Sequence, residues 1–521
     1  MNAFRFLLAT CLLWLSLNIN AAQRPNILFA IADDWSFGHA GAYGCSWVET
    51  PNFDRLANEG ILFLNAYTPN AKCAPSRATI LTGRYSWQLE EAGNHMAIFP
   101  SKFGGFVERL SAAGYQAGYT GKGWGPGIAK DAQGKNRAIT GKRYAQRKLR
   151  PRARGISNND YAANFADFLA ETDGSKPWVF WYGTTEPHRG YEFKSGVRLG
   201  KSLDQIDRVP AYWQDNETTR HDMLDYAIEV EHYDDHLGRI LKSIEAAGQL
   251  ENTLIVATSD HGMPFPRVKG QAYEHSNHIP LAIRWPAGIQ GCNRRVADYV
   301  NFTDLAPTFL QAAGITELGP IMQPMSGTSL FEIFSVNRSG QIIPNRDHVL
   351  VGKERHDTGR PHDWGYPIRG INNGRWLYLR NYEPSRWPAG NPETGYLNCD
   401  ASPIKTDILN LRREGSNQTF WDLSFGRRPA EELYDLQADP DCVNNLAKAA
   451  GSQAIKTKLA TQMRAELTEQ GDPRMQGLGE VFDNYPYSDP RTGQFYQQYL
   501  SGKRPRAGWV NESDFETEPV E

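Results

Sequence analysis

Four stretches of the chain are continuously apolar, and each stops at an unusual polar cluster. Asn26–Ala32 ends at Asp33-Asp34, and Gly114–Thr120 leads into Gly121-Lys122-Gly123-Trp124. Trp178–Tyr182 runs toward Glu186-Pro187-His188-Arg189, and Thr253–Thr258 stops before Asp260-His261-Gly262. Runs without polar alternation predict strands of a parallel sheet covered on both faces. Helical patterns lie between them, over Phe53–Glu59, Phe103–Ala113, Tyr161–Glu171 and Met223–Ala247. Strand–helix alternation of this kind predicts an α/β fold, with ligands bound beyond the carboxyl ends of the strands. Taken singly, Asp33-Asp34 is as well read as a helix cap and Asp260-His261-Gly262 as a turn. Four polar clusters at four strand ends point instead to one pocket.

Later in the chain, Ile368–Tyr378 reads as a hairpin with Asn373-Gly374 at its turn, which adds a small antiparallel sheet. The pattern divides the chain into a segment 1–22, a large α/β domain over 23–350, and a smaller α+β domain over 351–521. The first segment has one positive charge within Met1–Arg5, an apolar run Phe6–Ile19, and small residues Ala21 and Ala22. This predicts a cleaved export signal and a periplasmic or secreted protein; the run is short for the roughly 20 residues of a membrane anchor. No other stretch reads as a membrane span.

Composition narrows the function classes. With 521 residues, 40% hydrophobic and 12% aromatic, the chain is a compact folded protein and neither disordered nor fibrous. Its 56 basic and 59 acidic residues do not describe a nucleic-acid-binding protein. Charge is nonetheless uneven, because Arg137–Arg154 holds eight basic residues and no acidic one. Such a run is by default a solvated loop, and in an exported protein it could also attract a polyanionic glycan. Beyond Cys11 in the leader, Cys45, Cys73, Cys292, Cys399 and Cys442 form an odd set, so at least one stays unpaired.

The segment Cys73-Ala74-Pro75-Ser76-Arg77, followed by Thr82-Gly83-Arg84, resembles the signature of the type I (formylglycine-dependent) sulfatases. The resemblance extends over nearly the whole chain: Arg24-Pro25-Asn26-Ile27, Thr50-Pro51-Asn52-Phe53, and Glu432-Leu433-Tyr434-Asp435 match further blocks. Met263-Pro264-Phe265-Pro266 is similar to the heparan N-sulfatase (sulfamidase) branch. Pro75 suits a first helical turn, so Cys73 is expected at a helix start, where anions are favoured.

The resemblance implies an alkaline-phosphatase-like sandwich, and oxidation of Cys73 to 3-oxoalanine by a formylglycine-generating enzyme. It also implies one divalent cation, usually Ca²⁺, held by Asp33, Asp34, Asp260, His261 and the modified Cys73. Carboxylates suit such a hard ion, whereas imidazole is an unusual calcium donor, and His261 could instead bond the sulfate. By the same resemblance Lys122, Lys269 and Arg77 hold the sulfuryl oxygens. His188 protonates the leaving group, a task suited to a side chain titrating near neutrality. Trp124 stands where many relatives have histidine. Arg355, His356, Asp363 and Arg369 are expected to bind sugar if their segment folds over the pocket. The implied activity is hydrolysis of a sulfated carbohydrate, as O- or N-sulfate. The rivals are a phosphate or phosphonate ester hydrolase of the same superfamily and a catalytically silent glycan-binding protein.

Overall fold

The computed structural model describes residues 24–520. The expected export signal lies outside the described residues. Fourteen strands form three sheets. The largest contains β1 (Asn26–Ala32), β2 (Ile61–Tyr67), β4 (Gln116–Gly121), β6 (Lys142–Arg143), β7 (Trp178–Gly183), β8 (Thr253–Ser259), β9 (Leu281–Arg284) and β10 (Arg294–Asn301). Their order is β10-β2-β9-β8-β1-β7-β4-β6, and β9 alone runs antiparallel to its neighbours. A two-stranded ribbon pairs β3 (Ala97–Phe99) with β5 (Gly127–Ala129).

The apolar runs are continuous because both sheet faces are covered. Along β1, Leu28, Ala30 and Ala32 join one core cluster while Ile27, Phe29 and Ile31 join the other. The first face packs on helices Pro51–Glu59, Tyr161–Ala170 and Glu217–Ala246 through Phe53, Phe165 and Leu237. The second packs on helices Cys73–Thr82, Phe106–Ala112 and Leu305–Ala312 through Ile80, Leu110 and Phe309. Each such side chain contributes about 1.5–3 kcal/mol on full burial. This is the alkaline-phosphatase-like sandwich anticipated above.

The second sheet is antiparallel, in the order β11 (Val349–Lys353), β12 (Ile368–Asn372), β13 (Trp376–Asn381) and β14 (Glu431–Asp435). The expected hairpin is β12–β13. Its turn places Gly374 at φ 83°, a conformation glycine adopts without steric cost. Helix Gln453–Glu469 covers this sheet through Leu459, Met463 and Leu467. Among the described residues no helix is long and apolar enough to cross a membrane.

Candidate active site

Strands β8, β1, β7 and β4 lie side by side and parallel, so their carboxyl ends share one edge. The register pairs Ala32 with Ser259, Ile31 with Gly183, and Gly121 with Gly183. The next residues are therefore neighbours although they are far apart in sequence. Asp34 takes a left-handed conformation, φ 79°, and its amide donates to Asp260 Oδ1 at 3.0 Å. The convergence opens a cavity of about 850 Å³ lined by Asp33, Cys73, Lys122, His188 and Lys269, among others.

Cys73 is the first residue of helix Cys73–Thr82, all of whose residues are buried. Pro75 sits in the first turn, where its missing N–H breaks no helical bond. The Cys73 Sγ lies 3.4 Å from His261 Nε2, with only 1% of the residue exposed. Burial and Asp33 oppose ionisation of the thiol, but Lys122, Lys269 and His261 outweigh them and hold it well below the ordinary range. The helix start is thus an electropositive hollow in the midst of carboxylates.

The two lysines are paired with the two aspartates. Lys122 Nζ donates to Asp33 at 2.6 and 2.8 Å, and Lys269 Nζ to Asp34 Oδ2 at 2.6 Å. Burial would raise both carboxyl groups. Lys122 with Arg77 reverses this at Asp33, and Lys269 with His261 reverses it at Asp34, so both are held ionised. His188 lines the same cavity, with its Nδ1 3.2 Å from Arg189 O.

Several expected site residues are engaged with the protein itself. Arg77 is fully buried and does not line the cavity. Its Nε donates to Asp260 Oδ2 at 2.8 Å and its Nη1 to the carbonyls of Lys122 and Gly123, while Nη2 lies 3.4 Å from Asp33. The fork ties three loops together. Asp260 braces the same loops, because its Oδ1 accepts the amides of Asp34 and His261. Arg355, His356, Asp363 and Arg369 do not line the cavity either. Arg355 donates to Tyr485 O and Pro486 O, His356 contacts Asn70, Asp363 accepts the Gln494 amide, and Arg369 pairs with Asp472. All four are buried, and Arg355 Nε, His356 Nδ1 and Asp363 Oδ1 keep no hydrogen-bond partner. Trp124 lines the cavity and donates its indole N–H to Ala74 O at 3.0 Å. No disulfide forms among the described residues, and all five cysteines there are free.

The ligand atoms of Asp33, Asp34, Cys73 and His261 lie within 4.8 Å of one another. His261 Nδ1 sits 3.1 Å from Gly262 O, a pure acceptor, so Nδ1 carries a proton, while Nε2 lies with the other ligand atoms. Asp34 Oδ1 is buried without a hydrogen bond, although His261 Nε2 is 2.9 Å away. A buried orphan oxygen beside a second carboxylate and an imidazole is a donor set that fits a divalent cation.

Some site residues carried no local signal. Asp400, from the loop after Tyr396, accepts Lys269 Nζ at 2.7 Å and lines the cavity. Burial opposes its ionisation, yet Lys269, Lys72 and His188 hold it below the usual carboxylate range. Lys72, His95 and Asp357 form a second group on the cavity wall, with Asp357 2.7 Å from Lys72 Nζ and 2.8 Å from His95 Nδ1. Only the three-dimensional fold brings these segments together.

A family model described as Sulfatase matches residues 25–315, more than half of the chain. The protein therefore belongs to the sulfatase family and is a sulfatase by class. It is similar to an ulvan-active sulfatase of Formosa agariphila, 28% identical over 86% of this chain and 76% of that one. It is likewise similar to the N-sulphoglucosamine sulphohydrolase of Homo sapiens, 27% identical over 89% and 94% of the respective chains. Its fold matches that of BT4656 in complex with its substrate D-glucosamine-2-N,6-O-disulfate, with a TM-score of 0.60 and 20% identity, covering 86% of this chain and 99% of that one.

Proposed function

We propose that this protein is an exported sulfatase that hydrolyses sulfate esters or N-sulfates of a sulfated polysaccharide or oligosaccharide, after a formylglycine-generating enzyme has oxidised Cys73 to 3-oxoalanine. The observation that carries the reading is the Cys73 sulfur at a buried helix start, grouped with Asp33, Asp34 and His261. The similar proteins named for ulvan and for N-sulphoglucosamine both point to carbohydrate.

Asp33, Asp34, His261 and an oxygen on modified residue 73 would hold the cation, Ca²⁺, with Asp260 joining from 3.7 Å behind His261 Nε2. Once bound, the ion supplies Lewis-acid stabilisation of charge at the reacting centre. Hydrated, the aldehyde supplies the attacking oxygen. Were an ion to take up the two aspartates, the Lys122 and Lys269 ammonium groups would be free to bind sulfuryl oxygens, in a buried setting where such contacts are strong. Asp400 keeps Lys269 from swinging away. In its protonated form His188 can donate one N–H to Arg189 O and give its other ring proton to the departing alcohol or amine.

The test is a panel of defined sulfated oligosaccharides and matched aryl sulfate and phosphate esters, given to protein co-produced with the maturing enzyme. Release of sulfate from a saccharide, and not of phosphate from the matched ester, is expected. Phosphate release in preference to sulfate would identify an ester hydrolase of the phosphate or phosphonate type. Glycan binding without turnover, with only thiol at Cys73, would identify a silent binding protein.

A further inference from the structure

Part of the basic run builds a second cavity. A hollow of about 410 Å³ lies between Leu149–Arg152 and one face of helix Glu217–Ala246. It shares no lining residue with the catalytic cavity. The helix contributes His232, His236, Arg239 and Lys242, at spacings of three to four residues that place them on one face. Arg150 and Arg152 complete the wall opposite, and Asp235 is its one acid. Four permanent cations against Asp235 on the wall and Asp160 behind Arg239 leave a local excess of positive charge in a chain whose formal net charge is −3.

Three features show a built site rather than a random basic surface. Arg152 is fixed by Ile228 O at 3.2 Å and lies 3.4 Å from Asp235, while Arg239 donates to Asp160 at 2.9 Å. Arg150 and Lys242 are exposed and engage no partner, so they are available to a ligand. At the floor His232 is 6% exposed, and its Nε2 has no hydrogen-bond partner.

We infer that this hollow is an anion-binding exosite that docks a sulfated unit of a glycan chain away from the catalytic centre. The choice of glycan among polyanions rests on the carbohydrate reading given above. The hollow's volume accommodates one sugar unit, with Arg150 and Lys242 free to meet its sulfate oxygens. Burial together with His236, Arg152 and Arg239 pushes His232 down to about 3, so the imidazole is neutral and the positive charge sits on the Arg and Lys side chains around it. Such a rim raises the local concentration of a polyanion and tethers a long chain while its end is processed.

The test compares wild type, R150E/K242E, and a control K448E/K458E that makes the same charge change at exposed lysines elsewhere. Affinity for a heparin octasaccharide is measured by calorimetry, and KM is measured on a sulfated polymer and on an aryl sulfate. The exosite predicts that R150E/K242E binds the octasaccharide about tenfold more weakly and raises the polymer KM in step. Aryl sulfate turnover should stay unchanged, and the control should match wild type. Equal octasaccharide affinity in R150E/K242E and the control overturns the proposal. So does equally tight binding of inorganic sulfate, or of an oligodeoxythymidylate of matched charge. The calorimetry needs no turnover, so an inactive protein that still loses affinity in R150E/K242E would refute the catalytic reading and leave the exosite standing.

Discussion

Replacing Arg77 by methionine removes a guanidinium while keeping the stem that fills the core. Arg77 is fully buried and joins Asp260, the Lys122–Gly123 carbonyls and Asp33, which belong to three of the strand-end loops. Breaking a buried ion pair by deleting one partner costs about 3–5 kcal/mol, because the other charge is left uncompensated. Of the carbonyls, Lys122 O keeps the Trp181 indole at 3.0 Å, so Asp260 Oδ2 and Gly123 O bear most of that cost. Unfolding entropy near 2.1 cal/mol/K per residue gives about 1 kcal/mol/K for a chain of this size, so the melting temperature should fall by about 3–5 °C. Activity should fall further than stability, since displacing a reacting group by about 1 Å costs on the order of 100-fold. Arg77→Lys restores the charge but not the fork, and should recover part of the melting temperature with little of the activity. Thermal melts and kcat/KM on an aryl sulfate read both effects. If Arg77→Met melts with wild type and keeps wild-type kcat/KM, then Arg77 is not the brace described here.

Other outcomes follow from the same geometry. His188→Gln should lower kcat on a sulfated saccharide by about 10²–10⁴-fold, yet spare much of the turnover of an aryl sulfate whose leaving group needs no proton; an equal loss on both substrates would remove His188 from that role. Asp400→Asn leaves Lys269 with Asp34 alone, so kcat/KM should drop by about tenfold or more while the melting temperature moves little, as read by steady-state kinetics beside a melt. Chelation should abolish activity and lower the melting temperature, by about 4 kcal/mol of lost linkage if the ion is normally present at 1,000 times its dissociation constant. Added Ca²⁺ should restore both, and an unchanged melt after chelation speaks against the ion.

What could be read from the sequence was what is local or periodic. The four strands were legible because burial on both faces leaves β1, β7 and β8 with few polar positions, and because parallel neighbours must deliver their ends to one edge. The Cys73 segment was legible because its chemistry is compact along the chain. Asp400, Lys72, His95 and Asp357 were not, since they occupy irregular segments whose partners are 131 to 285 residues away. The Glu354–Ile371 segment was only partly legible for a related reason. It does approach the cavity, but through Asp357, whereas its neighbours Arg355 and His356 turn inward to meet backbone and Asn70. A polar cluster in a sequence does not reveal which of its members faces the ligand. Arg77 shows the same limit, because a planar donor fork serves a substrate anion and a structural carboxylate equally well.

The most direct measurement follows the Cys73 peptide by mass spectrometry in preparations made with graded amounts of the maturing enzyme, and sets its aldehyde fraction against specific sulfatase activity. A straight line through the origin is the expected result. Full activity in a preparation whose residue 73 is entirely thiol would contradict the account.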